Sequence, residues 1–261
     1  MVKSLFRFRR FIWQHAWSDL RYRYAGTGLG AVWNLLHPLA IIGIYSLVFS
    51  TLFSAKLRVS QGRLPYTIYL CSGFFPWLAF SECVIRSCNA FSVNAAYLKK
   101  LPIPEHIFVA QAAVSSSLGL GINFSLLMVV SILLGIPPAG QWWFLPIPLM
   151  MLQALGFGLG LLLGTLNVFF RDISQLLSIV LQVVMWTVPI VYTPDILPSQ
   201  FRALLSWHPL MPAFGSIRDL FLYTKWPSLS VWCWMVFWPF STSILAYMVL
   251  GALRDEIRDA I

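Results

Sequence analysis

The chain has 261 residues, of which 59% are hydrophobic, 16% aromatic and only 10% charged, with a net charge of +9. A water-soluble domain carries about a quarter charged residues and about half apolar ones, so this chain lacks the polar surface to cover one soluble core. Soluble, disordered, collagenous and disulfide-stapled classes are excluded, and an all-α integral membrane protein is expected.

Residues 5–24 read as an amphipathic helix lying in the membrane interface. Phe6, Trp13, Trp17, Leu20 and Tyr24 share one face, beside a polar stripe of Arg7, Arg10, Gln14, Ser18 and Arg21. A bare orientation signal is the plainer alternative. A cleavable signal is not expected, because the apolar stretch starts only after residue 24 and lacks an A-x-A site.

A spanning helix needs about 20 mostly apolar residues. The first such run is 31–53, with His37-Pro38 kinking its first half, and the second is 65–93. No formal charge occurs from His106 to Phe170, a run too long for one helix. Gly135-Ile136-Pro137-Pro138-Ala139-Gly140 divides it into spans at 107–134 and 143–167. A fifth span fits 174–193 and a sixth 228–251. The intervening 194–225 is apolar, but Pro194, Pro198, Pro209 and Pro212 interrupt it and Arg202, Arg218, Asp219 and Lys225 punctuate it. Re-entrant or interfacial helices suit it better than a span.

Six spans place both termini on one side. With the ends inside, Lys3, Arg7, Arg9, Arg10, Arg21, Arg23, Lys99, Lys100, Arg171, Arg254 and Arg258 face the cytoplasm. Lys56, Arg58, Arg63, Arg202, Arg218 and Lys225 face outward and Arg86 sits near a boundary, so the distribution obeys the positive-inside rule. The positive balance therefore reads as topology and anionic-lipid contact, and no nucleic-acid partner is expected.

No P-loop, G-x-S-x-G, H-E-x-x-H or D-x-D pattern occurs, so no nucleotide cradle or bond-making site is expected in this chain. Cys71, Cys83, Cys88 and Cys233 form no C-x-x-C pair, and neither a disulfide nor a metal site follows. The one intramembrane charge pair is Glu82 with Arg86, four residues apart on a helix and near its cytoplasmic boundary. A local ion pair with a snorkelling arginine suits that depth better than an ion pathway. Energy for transport would then come from another polypeptide. Two loops could receive it: the segment from Asn94 to His106, with Tyr97, Lys99, Lys100, Pro102, Pro104 and Glu105, and the turn at Arg171-Asp172. Topology marking would need only their basic residues; the added prolines and acids suit docking of a soluble partner.

Several stretches, in order, carry a family resemblance: DLRYRYAGTGLGAVWNLLHP from Asp19 to Pro38, GFFPWLAFSE from Gly73 to Glu82, and the Asn94-to-Pro104 loop. NVFFRD from Asn167 to Asp172, WTVPIVY from Trp186 to Tyr192, and His208-Pro209 followed by Arg218 complete them. The chain resembles the permease subunits of ABC-2 type exporters, particularly the branch moving lipid-linked O-antigen, capsule or teichoic-acid polymers. It departs from that pattern at His208, where asparagine is expected, and at Pro102-Ile103-Pro104, where many relatives have Phe-Pro.

The resemblance implies a single transmembrane domain over 1–261 with an N-terminal interface helix, six spans, and re-entrant helices closing the outer side. It implies a multi-pass protein of the bacterial inner membrane with cytoplasmic ends, working as a homodimer with two copies of a separate ATPase. ATP and Mg would sit on that partner, leaving this chain without a cofactor or a catalytic residue. Tyr97, Lys99, Lys100, Pro102, Pro104 and Glu105 become ATPase-contact candidates, with Arg171 and Asp172 a smaller second contact. For a glycan substrate, aromatic rings offer flat faces along which a polymer can slide, and Tyr22, Trp33, Phe75, Trp77, Phe80 and Trp186 are candidates for the channel or its mouth. A permease for a small lipid or drug is one alternative. An ATP-independent carrier or embedded glycosyltransferase is another, against which the missing midplane acids and missing Asp pairs count.

Overall fold

The computed structural model describes residues 2–23, 26–53, 66–100, 102–194, 198, 200–201, 205, 207–254 and 256–257. Tyr24, Lys56, Arg58, Arg63, Arg202 and Arg258, placed above by face or charge, lie outside them. Every regular element among the described residues is helical. The N-terminal segment forms α1 (Val2–Arg7) and α2 (Arg9–Tyr22), divided at Phe8. A short 3-10 turn, Gly30–Val32, leads into α3 (Trp33–Phe53). Then follow α4 (Tyr66–Cys88), the short α5 (Ala90–Val93) and α6 (Ala95–Lys100), and the long α7 (His106–Leu133). A 3-10 turn at Gly140–Phe144 precedes α8 (Pro146–Asn167), with Pro146 in its first turn, where a missing N–H costs nothing. The last helices are α9 (Ile173–Thr187), α10 (Met211–Phe221) and α11 (Leu229–Ala252).

Four of these segments are long and apolar enough to cross a membrane: Tyr66–Cys88, His106–Leu133, Gly140–Asn167 and Leu229–Ala252. They coincide within a few residues with the second, third, fourth and sixth expected spans. The second is interrupted at Asn89, where α4 ends, but i→i−4 hydrogen bonds continue across that residue and α5 carries the helical path to Val93. The fifth stops at Thr187 instead of 193. Its cause is Pro189: the residue before a proline is driven from the helical region, and Val188 is extended at ψ 131°.

Helix α4 is the axis of the bundle. Sixteen of its 23 residues are buried, as expected of a helix apolar on all sides, and α7 and α8 lie along it. The seam with α8 is set by glycine: Gly156, Gly160 and Gly164 recur every fourth residue and face α4. A Cβ at Gly160 would lie 2.2 Å from the Ser87 Cβ, and one at Gly164 2.8 Å from the Ser87 carbonyl oxygen. Gly158 points the other way, where a Cβ would lie 2.6 Å from Thr242 Oγ1 on α11. With no hydrophobic driving force between helices in lipid, such close backbone approach supplies the dispersion contacts that hold them together.

The interface helix corrects one expectation. Its buried residues are Ile12, Ala16 and Leu20, spaced by four and packed toward α7, whereas Phe6, Trp13 and Trp17 are more than half exposed. The segment therefore has two apolar stripes, one against protein and one facing outward. A polarity pattern shows both but does not say which stripe meets the bundle.

Candidate functional site

At the end of the bundle that carries α2, four charged side chains form one network. Arg86 on α4 donates to Asp19 on α2 at 2.6 Å and to Glu82, one turn earlier, at 3.1 Å. Arg23, just beyond α2, donates to the same Glu82 at 2.6 Å. Ser115 on α7 donates to Asp19 and accepts from Arg86 at 3.2 Å, so three helices meet here. Burial alone would raise the Asp19 carboxyl, but the Ser115 hydroxyl and the Arg86 guanidinium outweigh it and hold its pKa below the ordinary 3.8. The expected Glu82–Arg86 pair is thus half of a latch whose other half comes from the N-terminal segment. A second tie, Ser4 to His106 at 2.6 Å, fastens α1 to the start of α7.

Beside this latch lies a cavity of about 420 Å³ between α3, α4 and α7. Arg23, Glu82 and Arg86 form its charged side; Trp33, Asn34, His37, Ser81 and Asn123 are among its other walls.

The loop following α5 lies at the same end. Leu98 and Ile103 are buried in a cluster with Phe91, Phe108 and Leu250, which pins α6 to the bundle. Tyr97, Lys99, Lys100 and Pro102 are left exposed as a result, and Pro104 is half-buried. Glu105 is 1% exposed and pairs with Arg254, past α11, at 3.3 Å. The turn between α8 and α9 is stapled by Asn167, whose amide donates to the Cys88 carbonyl at 3.3 Å and accepts from the Ser174 N–H at 3.2 Å. Arg171 and Asp172 project from that turn, exposed.

At the opposite end of α4, the extended segment after α9 is held by its carbonyls. Arg218 of α10, itself 6% exposed, donates to the Pro189 and Ile190 oxygens, while Tyr66 and Tyr69 of α4 donate to those of Val191 and Tyr192. Four consecutive backbone acceptors, freed because the helix stopped, are each satisfied by a side chain. The Arg218 guanidinium also lies 4.0 Å above the Tyr69 ring, and a Cβ at Gly73 would come within 3.0 Å of it. This clasp joins the Gly73, Trp186-to-Tyr192 and Arg218 stretches into one arrangement.

A family match accounts for the same stretches: ABC-2 type transporter, over residues 10–222. The chain belongs to that family. It is 28% identical over 207 residues to the O-antigen export system permease protein RfbA of Klebsiella pneumoniae, covering 78% of this chain and 77% of the relative. It is 24% identical over 231 residues to RfbA of Myxococcus xanthus, covering 87% and 86%. The polysialic acid transport protein KpsM of Escherichia coli matches at 23% over 208 residues, 77% of each.

In this ABC-2 chain the expected site residues fall into distinct places. Tyr97, Lys99, Lys100, Pro102, Arg171 and Asp172 are presented at the surface, whereas the Glu105 carboxylate is turned inward to Arg254. Among the aromatic candidates, Trp33 lines the cavity and Tyr22 and Trp186 are exposed at 63% and 58%. Phe75, Trp77 and Phe80 are in the core, because α4, which carries them, is surrounded. Asp19, Ser115 and Asn123 were not singled out from the sequence. Asn123 carried a usable signal, an amide in the uncharged run from His106 to Phe170.

Proposed function

We propose that the chain is the membrane subunit of an ATP-driven exporter that carries a lipid-linked polysaccharide from the cytoplasm outward across the bacterial inner membrane. The observation that carries this reading is its likeness, across more than three quarters of its length, to permeases named for O-antigen export and polysialic acid transport. The permease is a homodimer bound to two copies of a separate ATPase, which holds ATP and Mg. No P-loop occurs in this chain to hold them instead.

In this reading the whole chain is one transmembrane domain with six spans, the four long helices being joined by α3 and α9. Helix α3 has 21 residues, enough for about 30 Å. Helix α9 has 15 and reaches only about 22 Å, and the clasped segment 188–192 completes its crossing without leaving carbonyls bare to lipid. Part of the re-entrant region at 194–225 lies outside the described residues; α10, within it, is buried against the bundle and lies toward the outer side. Both ends, the α6 loop and the Arg171-Asp172 turn face the cytoplasm, as the distribution of Lys and Arg favours.

Nucleotide-driven closure of the ATPase pushes on Tyr97, Lys99 and Lys100. Because Leu98 and Ile103 are buried in the cluster shared by α2, α7 and α11, force on α6 reaches those helices as a body. Differential contact with the nucleotide-bound partner then shifts the dimer between closed and open states. Deleting the chromosomal copy and restoring it on a plasmid tests the reading. Surface polysaccharide disappears on deletion, lipid-linked polymer accumulates inside, and the plasmid reverses both; unchanged surface polysaccharide overturns it.

A further inference from the structure

We infer that the cavity between α3, α4 and α7 binds an electrically neutral, hydroxyl-rich group, a sugar unit of the cargo, in preference to a phosphate or diphosphate. The inference rests on the reading of the chain as a polysaccharide permease and assigns the part of the cargo this cavity recognises.

Charge comes first. The two guanidinium groups beside the cavity, Arg23 and Arg86, are already matched by two carboxylates, Glu82 and Asp19, through contacts of 2.6–3.1 Å. A diphosphate would have to displace a carboxylate from each arginine, or bring its own charge beside Glu82. Like charges at this part-buried rim oppose that. A hydroxyl group, in contrast, can both donate to a carboxylate oxygen and accept from a guanidinium, so the network suits it intact.

The remaining walls supply what a neutral polar ligand needs. Asn34 on α3 and Asn123 on α7 face the same cavity from different helices, both half-buried within apolar sequences. Among the described residues neither amide makes a hydrogen bond, nor does the His37 ring. Amides carry two donors and one strong acceptor each, and leaving them unpaired inside a membrane helix is costly. Pro38 adds another acceptor: it has no N–H for the Asn34 carbonyl four residues before it. Trp33, 38% exposed, provides a flat apolar face beside these groups. Neutral donors and acceptors around one ring, with formal charge cancelled, match alternating hydroxyls and C–H faces of a pyranose.

Depth agrees with this assignment. Ser115, in the latch, and Asn123 are eight residues apart on α7, which puts the amide about 12 Å further along the helix. A polymer held there would reach from the charged rim to the middle of α7.

The full-length permease in phospholipid nanodiscs is titrated with tritiated octyl glucoside, and separately with tritiated farnesyl diphosphate. Saturable glucoside binding is expected, weakened about tenfold or more in the N34L/N123L chain through loss of two or more hydrogen bonds, and partly recovered with N34L/N123Q. Farnesyl diphosphate binding should not change with either variant, while Glu82→Gln, which frees Arg23, should increase it. An unaltered elution profile on size exclusion verifies that each variant is folded. Absence of saturable glucoside binding, or diphosphate binding that depends on Asn34 and Asn123, overturns the assignment. Deletion that abolishes surface polysaccharide alongside absent glucoside binding would leave the permease reading standing and this one overturned. Unchanged polysaccharide alongside Asn-dependent glucoside binding would do the reverse.

Discussion

Replacing Gly160 by alanine puts a methyl carbon 2.2 Å from the Ser87 Cβ and 2.9 Å from its hydroxyl oxygen. Carbon atoms rest at about 3.5–4.0 Å, so α4 and α8 must part by more than about 1 Å along their tightest seam. The flanking contacts at Gly156 and Gly164, where a Cβ would already meet atoms at 3.0 and 2.8 Å, would loosen with it. Overpacking of this kind costs about 1–3 kcal/mol, and the better helix propensity of alanine returns at most about 1 kcal/mol. A net loss of about 1–2 kcal/mol corresponds to a melting temperature lower by about 3–6 °C for a chain of this size. The assay is the monodisperse fraction remaining on size exclusion after heating. Gly251→Ala, at a helical site with open space within 4 Å, is the matched control and should lose nothing. Combining Gly160→Ala with Ser87→Gly moves the methyl to the other helix and should recover most of the loss. If Gly160→Ala melts with the wild type, the seam is not set by close approach and the account of α4–α8 packing is refuted.

Asp19→Asn should lower the melting temperature at neutral pH. Since the folded-state pKa is depressed, the stabilisation is complete above the unfolded value of 3.8 and lost as pH falls through the lower folded value. The two melting curves should therefore stay apart above pH 3.8 and converge below it, as a pH series of thermal scans would reveal. Arg218→Leu strips the Pro189 and Ile190 oxygens of their donor and should expose residues 188–192 to a membrane-impermeant thiol reagent when Val191 is made cysteine; Val191 labelling equal to wild type would contradict the clasp. Replacing Tyr97, Lys99 and Lys100 together by alanine should abolish export while insertion and folding persist. Glu105→Ala should instead lower thermal stability by emptying a buried position and losing its tie to Arg254, and both are separable by pairing an export assay with melting.

Helix positions were readable because formal charge is expensive in lipid: α3, α7, α8 and α11 begin and end close to the limits of uncharged apolar runs, while α4 runs on through Glu82 and Arg86. Helix α9 stops at Thr187, six residues short of the expected end of the span, because hydropathy continues past the point where Pro189 halts the helix. The α4–α8 seam carried a local signal, glycine every fourth residue from Gly156 to Gly164. The latch was half legible: Glu82 and Arg86 are four residues apart, but Asp19 and Arg86 are 67 apart, and nothing local to either names the other. The same holds for the clasp, since Arg218 looked like one more outward charge when its burial depends on carbonyls 28 and 29 residues earlier. Periodicity reports the chemistry of a helix face, and the partner of that face is a property of topology.

The interface helix also has a consequence for how the protein is made. Its protein-facing stripe, Ile12, Ala16 and Leu20, buries toward α7; Asp19 ties to Arg86 and Ser115, 67 and 96 residues later, and Ser4 of α1 ties to His106, 102 residues later. At synthesis rates of about 5–20 residues per second, the partner surface appears about 5–20 s after the segment that needs it. During that interval the helix has two apolar stripes and no bundle to cover either, so the bilayer surface is its natural holding place. Trp13 and Trp17, both more than half exposed in the folded chain, suit that surface, and the other stripe is the one α7 covers. Residues made before α7 are thus among those whose packing must wait for it, and the exposed Trp13 and Trp17 suit a mooring at the bilayer surface during that wait.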